Sequence, residues 1–418
     1  MVSERKKEVK EELGLMRIPK EGMRRLKRTV KDVFRVEMLL LLFTVVMALV
    51  AFGDTIYSAF FALFLKDFGV PVEEIGIFFT AFFASTALVS IPAGYISDRL
   101  GRNVITVSLL VLAAIVFSYT LTQTKTQLFL LRIAQGAVMG FIFPVARAFV
   151  MDKTTEKNRG QTLGTFTFFI TIAGMAAPTI GGVLRDRTGS FTALFYIAAI
   201  CSVGAAFFLM LAIRDMGTGF SVTKMRLPTR ELVGSRAFLV VLLMFGMLYF
   251  ANGVLTPIMS IFAVDELGMS YTLLGLLSLC MGILYAFSQF VAGTLSDRLG
   301  RKNLLVYPLF IYVIGVFVAG LSVNYVMFFL MYLLVGIGAA PYATVAYGLI
   351  GDVLKPEQRG TASGAITSVG SLGMIVGPLV GAALGGIVGM RIPFFVCAAI
   401  VLATVGMLFI LLPQDSKR

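Results

Sequence analysis

Long apolar runs of about twenty residues alternate along this chain with short clusters of charge, glycine and proline. Reading the runs between those breaks predicts twelve helices, starting near Met38, Ile75, Val104, Leu128, Thr162, Phe191, Ala237, Thr272, Leu304, Val326, Thr361 and Ile392. About 20 apolar residues span a bilayer, and a helix satisfies its own backbone groups in lipid. The expected fold is therefore an all-α membrane protein with twelve transmembrane helices, which together use nearly the whole chain.

The pattern also repeats. A G-x-x-S-D-R-L-G-R unit at Gly94 to Arg102 recurs at Gly293 to Arg301, 199 positions later. Gly69 and Gly76 match Gly268 and Gly275 at the same offset. At an offset of 200, Asp152, Arg159, Gly160, Gly164, Pro178 and Gly181 match Asp352, Arg359, Gly360, Gly364, Pro378 and Gly381. Self-similarity over half the chain predicts two six-helix bundles, 38–213 and 237–412, in the same membrane orientation and with a pathway between them. Residues 214–236 are polar and basic and read as a linker. Residues 1–37 and 413–418 are tails. In the first, Met23, Leu26, Val30, Val33 and Phe34 recur at helical spacing opposite Arg24, Arg25, Lys27, Arg28 and Lys31, an amphipathic helix suited to a membrane surface.

Charge fixes the expected orientation. Of 36 Lys and Arg, 29 fall in segments that are cytoplasmic if the N-terminus is inside, and five, Lys66, Lys125, Arg185, Arg187 and Arg391, fall outside. The positive-inside rule then puts both termini in the cytoplasm, in a cell (inner) membrane. The net charge of +13 follows this topology, so anionic lipid headgroups at the basic tail are the expected partner and nucleic acid is not. Cys201, Cys280 and Cys397 all lie in apolar spans, and the chain has no histidine, so neither a metal site nor a disulfide framework is expected. No P-loop or catalytic constellation is present, so no enzyme activity or cofactor is expected.

On these residues the chain resembles the major facilitator superfamily over residues 38–412. Gly94, Asp98, Arg99, Gly101 and Arg102 match the family's loop signature G-x-L-a-D-r-x-G-r-k, with Ile96 for Leu and Asn103 for the final Lys. Gly293, Leu295, Asp297, Arg298, Gly300, Arg301 and Lys302 match it again. Phe129, Arg132, Gln135 and Gly136 stand for Leu-x-x-R-x-x-Q-G in the fourth helix. The resemblance implies alternating access and a cytoplasmic gate in which Asp98, Arg102 and Asp152, and again Asp297, Arg301 and Asp352, hold the outward-facing state. The fifth helix carries Gly164, Ala173, Ala177, Pro178, Gly181 and Gly182, which is similar to the G-x8-G-x3-G-P-x2-G-G pattern of drug/proton antiporters, with alanine at two glycine positions. Gly364, Gly373, Gly377, Pro378 and Gly381 of the eleventh helix fit it better. Small residues permit close packing, and the prolines are expected to kink both helices.

Two charges stand apart. Asp54 is the one acidic residue well inside a predicted span, and Arg132 lies within roughly 7 Å of its depth, taking 1.5 Å of rise per residue. A lone charge there costs at least about 2.5 kcal/mol, so pairing or a wet cavity is expected. The repeat puts Gly253 opposite Asp54 and Tyr332 opposite Arg132, so a packing need common to both halves does not explain the pair. Asp54 is the expected proton carrier, with Arg132 tuning its pKa and competing as counter-ion. Arg147, near the inner end of the fourth helix, is expected to snorkel to headgroups. Helical spacing gives Tyr57, Phe61, Gln135, Tyr249, Asn252, Thr256, Tyr285, Gln289 and Tyr332 as cavity candidates, an aromatic lining suited to apolar or amphipathic compounds, cationic ones included. The expected function is proton-coupled efflux of small compounds by a monomer, with the proton gradient as energy source. Uptake of an organic solute by symport or facilitation is the alternative, and a non-transporting solute sensor or lipid-handling protein on the same scaffold a further one.

Overall fold

The computed structural model describes residues 20–100, 103–154, 159–213, 234–354 and 356–412. They form twelve helices long and apolar enough to cross a membrane: α1 (Met38–Ser58), α2 (Val72–Ser90), α3 (Val104–Leu121), α4 (Lys125–Met151), α5 (Thr162–Thr188), α6 (Thr192–Leu211), α7 (Arg236–Glu266), α8 (Tyr271–Ala292), α9 (Arg301–Gly320), α10 (Tyr325–Gly351), α11 (Gln358–Val388) and α12 (Ile392–Leu411). Each begins within three residues of its expected start. α1 is continuous with the preceding segment, one helix running Lys20–Ser58.

The two halves pack alike. α1 lies against α5 and α6, α2 against α4, and α3 against α6; α7 lies against α11 and α12, α8 against α10, and α9 against α12. The bundles meet through two equivalent contacts, α2 on α11 and α5 on α8. Lipid supplies no hydrophobic drive between helices, so association rests on close packing and small residues. A Cβ on Gly377 would stand 2.7 Å from the Cα of Gly253, which is why α11 and α7 approach so closely.

α1 and α7 are interrupted at equivalent places. The first helix stops at Ser58 and resumes as Phe61–Asp67; the seventh stops at Leu255 and resumes at Ile258 after Pro257. Each extension ends in a glycine with positive φ, Gly69 at 90° and Gly268 at 65°, a conformation that costs glycine little. That requirement explains the repeated glycine pair.

The two antiporter-pattern prolines do not interrupt their helices, which run Arg159–Thr188 and Pro356–Ala383 through Pro178 and Pro378. Their surroundings show a further role. A Cβ on Gly275 would stand 2.6 Å from the carbonyl carbon of Pro178, and one on Gly76 would stand 2.8 Å from that of Pro378. Each proline thus seats a glycine of the opposite bundle. Gly181 and Gly381 face the backbones of Ile56 and Val254, within their own bundles, while Gly182 faces Tyr271 and Thr272 of α8.

Candidate functional site

Asp54 and Tyr57 sit one turn apart on α1, and Arg132 and Gln135 one turn apart on α4; residues three apart share a helix face. The two faces meet inside the N-terminal bundle. The Gln135 amide joins them: its Oε1 accepts from Arg132 at 2.8 Å and from the Tyr119 hydroxyl at 2.9 Å, while its Nε2 donates to Asp54 Oδ1 at 3.2 Å and to the Tyr57 oxygen at 2.5 Å. Two bonds accepted and two donated fill the capacity of an amide and fix which end faces the arginine. Tyr57 completes the ring by donating to Asp54 Oδ1 at 3.3 Å.

The two charges do not touch directly. Arg132 is 2% exposed and Gln135 0%, and the Arg132 Cζ stands 3.5 Å from the centroid of the Phe61 ring, with Phe82 at 4.8 Å and Phe79 at 5.4 Å. Aromatic faces attract a desolvated guanidinium, about 2 kcal/mol in favourable cases. The Arg132 Nε is buried without a hydrogen-bond partner. Asp54 is the member at the edge. It is half-buried, both network bonds fall on Oδ1, and Oδ2 is not among the buried unpartnered atoms. One carboxylate oxygen is held and the other is open.

Several expected cavity residues are corrected by this arrangement. Tyr57, Phe61 and Gln135 are packed within the N-terminal bundle and line no opening, and Tyr332 is buried in the other bundle, stacked on Phe328 at 5.3 Å. Spacing placed the first two on the Asp54 side, but that side faces α4. Tyr249, Asn252, Thr256, Tyr285 and Gln289 are at least partly open. Asn252 and Thr256 spend a donor on their own helix, to Leu248 O and Asn252 O, each at 2.8 Å. Tyr119, Phe79 and Phe82 were missed, because nothing in a neutral or aromatic residue of an apolar span marks it out. For Gln135 a signal existed, since its three-residue spacing from Arg132 puts it on the same face.

At the ends of the helices opposite the termini, the bundles are locked together. Lys66 and Asp265 form an ion pair across the boundary. Asp186, at the end of α5, accepts from the Tyr271 and Thr272 amides at 3.2 and 2.8 Å and from the Thr272 hydroxyl at 2.6 Å, capping α8. Beside α11, a Cβ on Gly386 would stand 2.7 Å from the Glu73 amide nitrogen. Thr80 and Thr179 continue the seam toward the middle, donating to Ile375 O at 2.6 Å and Gly275 O at 3.0 Å. At the terminal face, Gly101 and Arg102 of the expected gate lie outside the described residues, as do the side chains of Asp98, Arg99, Asp152, Asp297, Arg298 and Asp352 and the surroundings of Gly94 and Gly293. Gly300 turns there at φ 84°, and the Arg301 Cζ stands 2.9 Å from where a Gly348 Cβ would be, one helical turn before Asp352.

Arg147 is exposed on α4. Among the described residues, no cluster of His, Cys, Asp or Glu has the makings of a metal site.

A chain of this architecture has known relatives. It is 27% identical over 365 residues to the multidrug resistance protein MdtG of Proteus mirabilis (strain HI4320), covering 84% of this chain and 89% of that one. It is 22% identical over 338 residues to an uncharacterized MFS-type transporter of Methanocaldococcus jannaschii, covering 79% and 86%. Among solved structures, a bacterial homolog of the human lysosomal transporter Spinster, inward-facing and occupied, superposes with a TM-score of 0.76 at 18% identity over 89% of this chain and 96% of that one. The family profile described as the Major Facilitator Superfamily matches residues 43–251 and 241–418. With both halves matched, the chain is a multi-pass membrane transporter that belongs to the major facilitator superfamily.

Proposed function

We propose that this transporter exports small hydrophobic or amphipathic compounds in exchange for protons, with its terminal face toward the cytoplasm. The observation that carries the reading is the Asp54–Gln135–Arg132 network, present in one half of a duplicated fold and replaced in the other by Gly253, Val335 and Tyr332. An ionised Asp54 accepts from Tyr57 and Gln135 through Oδ1, while Oδ2 takes the proton from the open side. Protonation removes the counter-charge of Arg132, and the network must re-form around a lone cation. That cost couples proton occupancy to the conformation of α1 and α4, which is how a buried site biases two states. The multidrug name of the Proteus mirabilis relative supports export.

The test is transport by the full chain in proteoliposomes under an imposed pH gradient, across a panel of dyes, drugs and nutrients. Wild type is expected to move substrate against the proton flow. Asp54→Asn is expected to lose gradient-driven flux entirely while retaining substrate exchange across vesicles without a gradient. Gradient-driven flux unchanged in Asp54→Asn removes the role of this residue, and substrate moving with the protons makes the protein a symporter.

A further inference from the structure

α1 carries a stripe that the network around Asp54 does not use. Leu42, Val45, Leu49 and Phe52 recur at steps of three and four, so they share one helix face. Along that face α1, α5 and α6 enclose a cavity of about 360 Å³, completed by Ala173 of α5 and Phe208 of α6. α5 touches α1 at both ends of it: the Phe43 and Phe166 rings stack at 6.1 Å, and a Cβ on Gly174 would stand 3.6 Å from the Thr55 methyl. The end farther from the termini is closed on the α6 side as well, where a Cβ on Gly53 would stand 2.9 Å from that of Cys201. The nearer end is open, with Val45 57% and Phe208 49% exposed.

The other half is closed at this place. Gly373 is the equivalent of Ala173 at the offset of 200, and a Cβ on it would stand 2.6 Å from the Phe250 amide nitrogen and 2.8 Å from the Gly246 carbonyl oxygen of α7. A Cβ forbids that approach, and Ala173 carries one. The alanine that departs from the antiporter pattern therefore leaves room for a groove that the fold itself does not require.

Chemistry and length decide what fills it. No polar side chain lines the cavity, so water finds none of the two to four partners it needs there. From Leu42 to Phe52 the helix rises about 15 Å, half of the roughly 30 Å hydrocarbon core, from near the terminal end of the span toward its middle. That is the reach of an acyl chain in one leaflet. The helix continues unbroken back to Lys20, and along it Lys31 and Arg35 extend the same spacing through Met38 to Leu42. Positive positions thus stand in line with the groove at the level of the headgroups. We propose that the groove between α1, α5 and α6 binds one acyl chain of an anionic phospholipid from the leaflet at the terminal face, with its phosphate at the level of Lys31 and Arg35. The proposal depends neither on proton coupling nor on the direction of transport.

The chain has no tryptophan, so a single introduced indole reports without background. Phe208→Trp places it at the mouth of the groove and Val107→Trp on the exposed side of α3, each three residues from the terminal end of its span. The full chain in phosphatidylcholine nanodiscs is titrated with phosphatidylglycerol brominated on one acyl chain, and quenching of the indole is read. Half-quenching of Phe208→Trp is expected at a phosphatidylglycerol fraction at least about fivefold below that of Val107→Trp, the effect of one basic residue near a headgroup. Adding Ala173→Leu, which fills the groove, is expected to bring the two reporters together. Lys31→Gln combined with Arg35→Gln is expected to do the same, which keeps the test valid if the filled groove does not fold. Equal half-quenching of the two reporters, or a preference that survives either set of substitutions, overturns the proposal. So does an equally strong preference for 1-bromododecane, which makes the groove a site for apolar compounds rather than for a lipid.

Discussion

The two halves share a fold and a repeat, yet they fill equivalent positions by opposite chemistry. In the N-terminal bundle, Asp54, Gln135 and Arg132 form a buried polar network walled by Phe61, Phe79 and Phe82. In the C-terminal bundle, Gly253 packs against Gly377 and Pro378, and Tyr332 stacks on Phe328. The neutral half shows that the fold does not need the charges. A buried ionic arrangement that the scaffold can do without is weak evidence for stability and stronger evidence for a task.

Three substitutions sharpen or break this contrast. The largest effect is expected from Arg132→Leu, which leaves Asp54 without its compensating cation. Gradient-driven flux is expected to vanish, and the unpaired charge to lower stability by about 3 kcal/mol, read from thermal unfolding of purified protein. The counterpart Tyr332→Phe is expected to keep flux within about twofold, because that hydroxyl makes no hydrogen bond among the described residues and the ring provides the packing. Comparable losses in both variants would mean that the halves are not functionally distinct. Next comes Gln135→Leu, which mimics Val335. It orphans Arg132 and the Tyr119 hydroxyl, while Tyr57 keeps its bond to Asp54, and at about 1–3 kcal/mol for each buried group left unmade it is expected to destabilise and uncouple together.

The face opposite the termini offers smaller effects. Asp186 caps α8, whereas its equivalent is Gly386. Asp186→Ala is expected to cost the closed face about 1 kcal/mol, shifting the closed-to-open ratio roughly fivefold. Pulsed electron paramagnetic resonance between labels at Lys125→Cys and Val323→Cys, on opposite bundles in a background free of native cysteines, reads it as a longer distance. Lys66→Ala breaks a partly solvated pair and is expected to shift the same distribution less, by under about 1 kcal/mol. A larger shift from Lys66→Ala than from Asp186→Ala would reverse the ranking of the two latches.

Much of this was legible in the chain. The spans could be read because an apolar run is a one-dimensional signal, and Asp54 and Arg132 because a charge inside such a run is rare. What joins them was not legible. Gln135 and Tyr119 are neutral, and nothing short of the approach of α1, α3 and α4 reveals that one amide serves four partners. Tyr57 and Phe61 were placed on the correct side of α1, but whether that side faces an opening or another helix depends on how α1 is rotated against α4. The seat of Gly76 on Pro378, and of Gly275 on Pro178, was half visible: the repeat marked all four residues, but only the assembled bundles show that they meet.

Lys66 and Asp265 are themselves equivalent positions, 199 apart. Equivalent residues in contact must straddle the two-fold axis that relates the halves. On such an axis a residue meets its own copy, so two identical halves can present there only lysine to lysine or aspartate to aspartate, and either pair repels. The attractive pair is therefore unavailable to a symmetric dimer of half-length chains. It requires two halves that differ in sequence at this position, one carrying the cation and the other the anion.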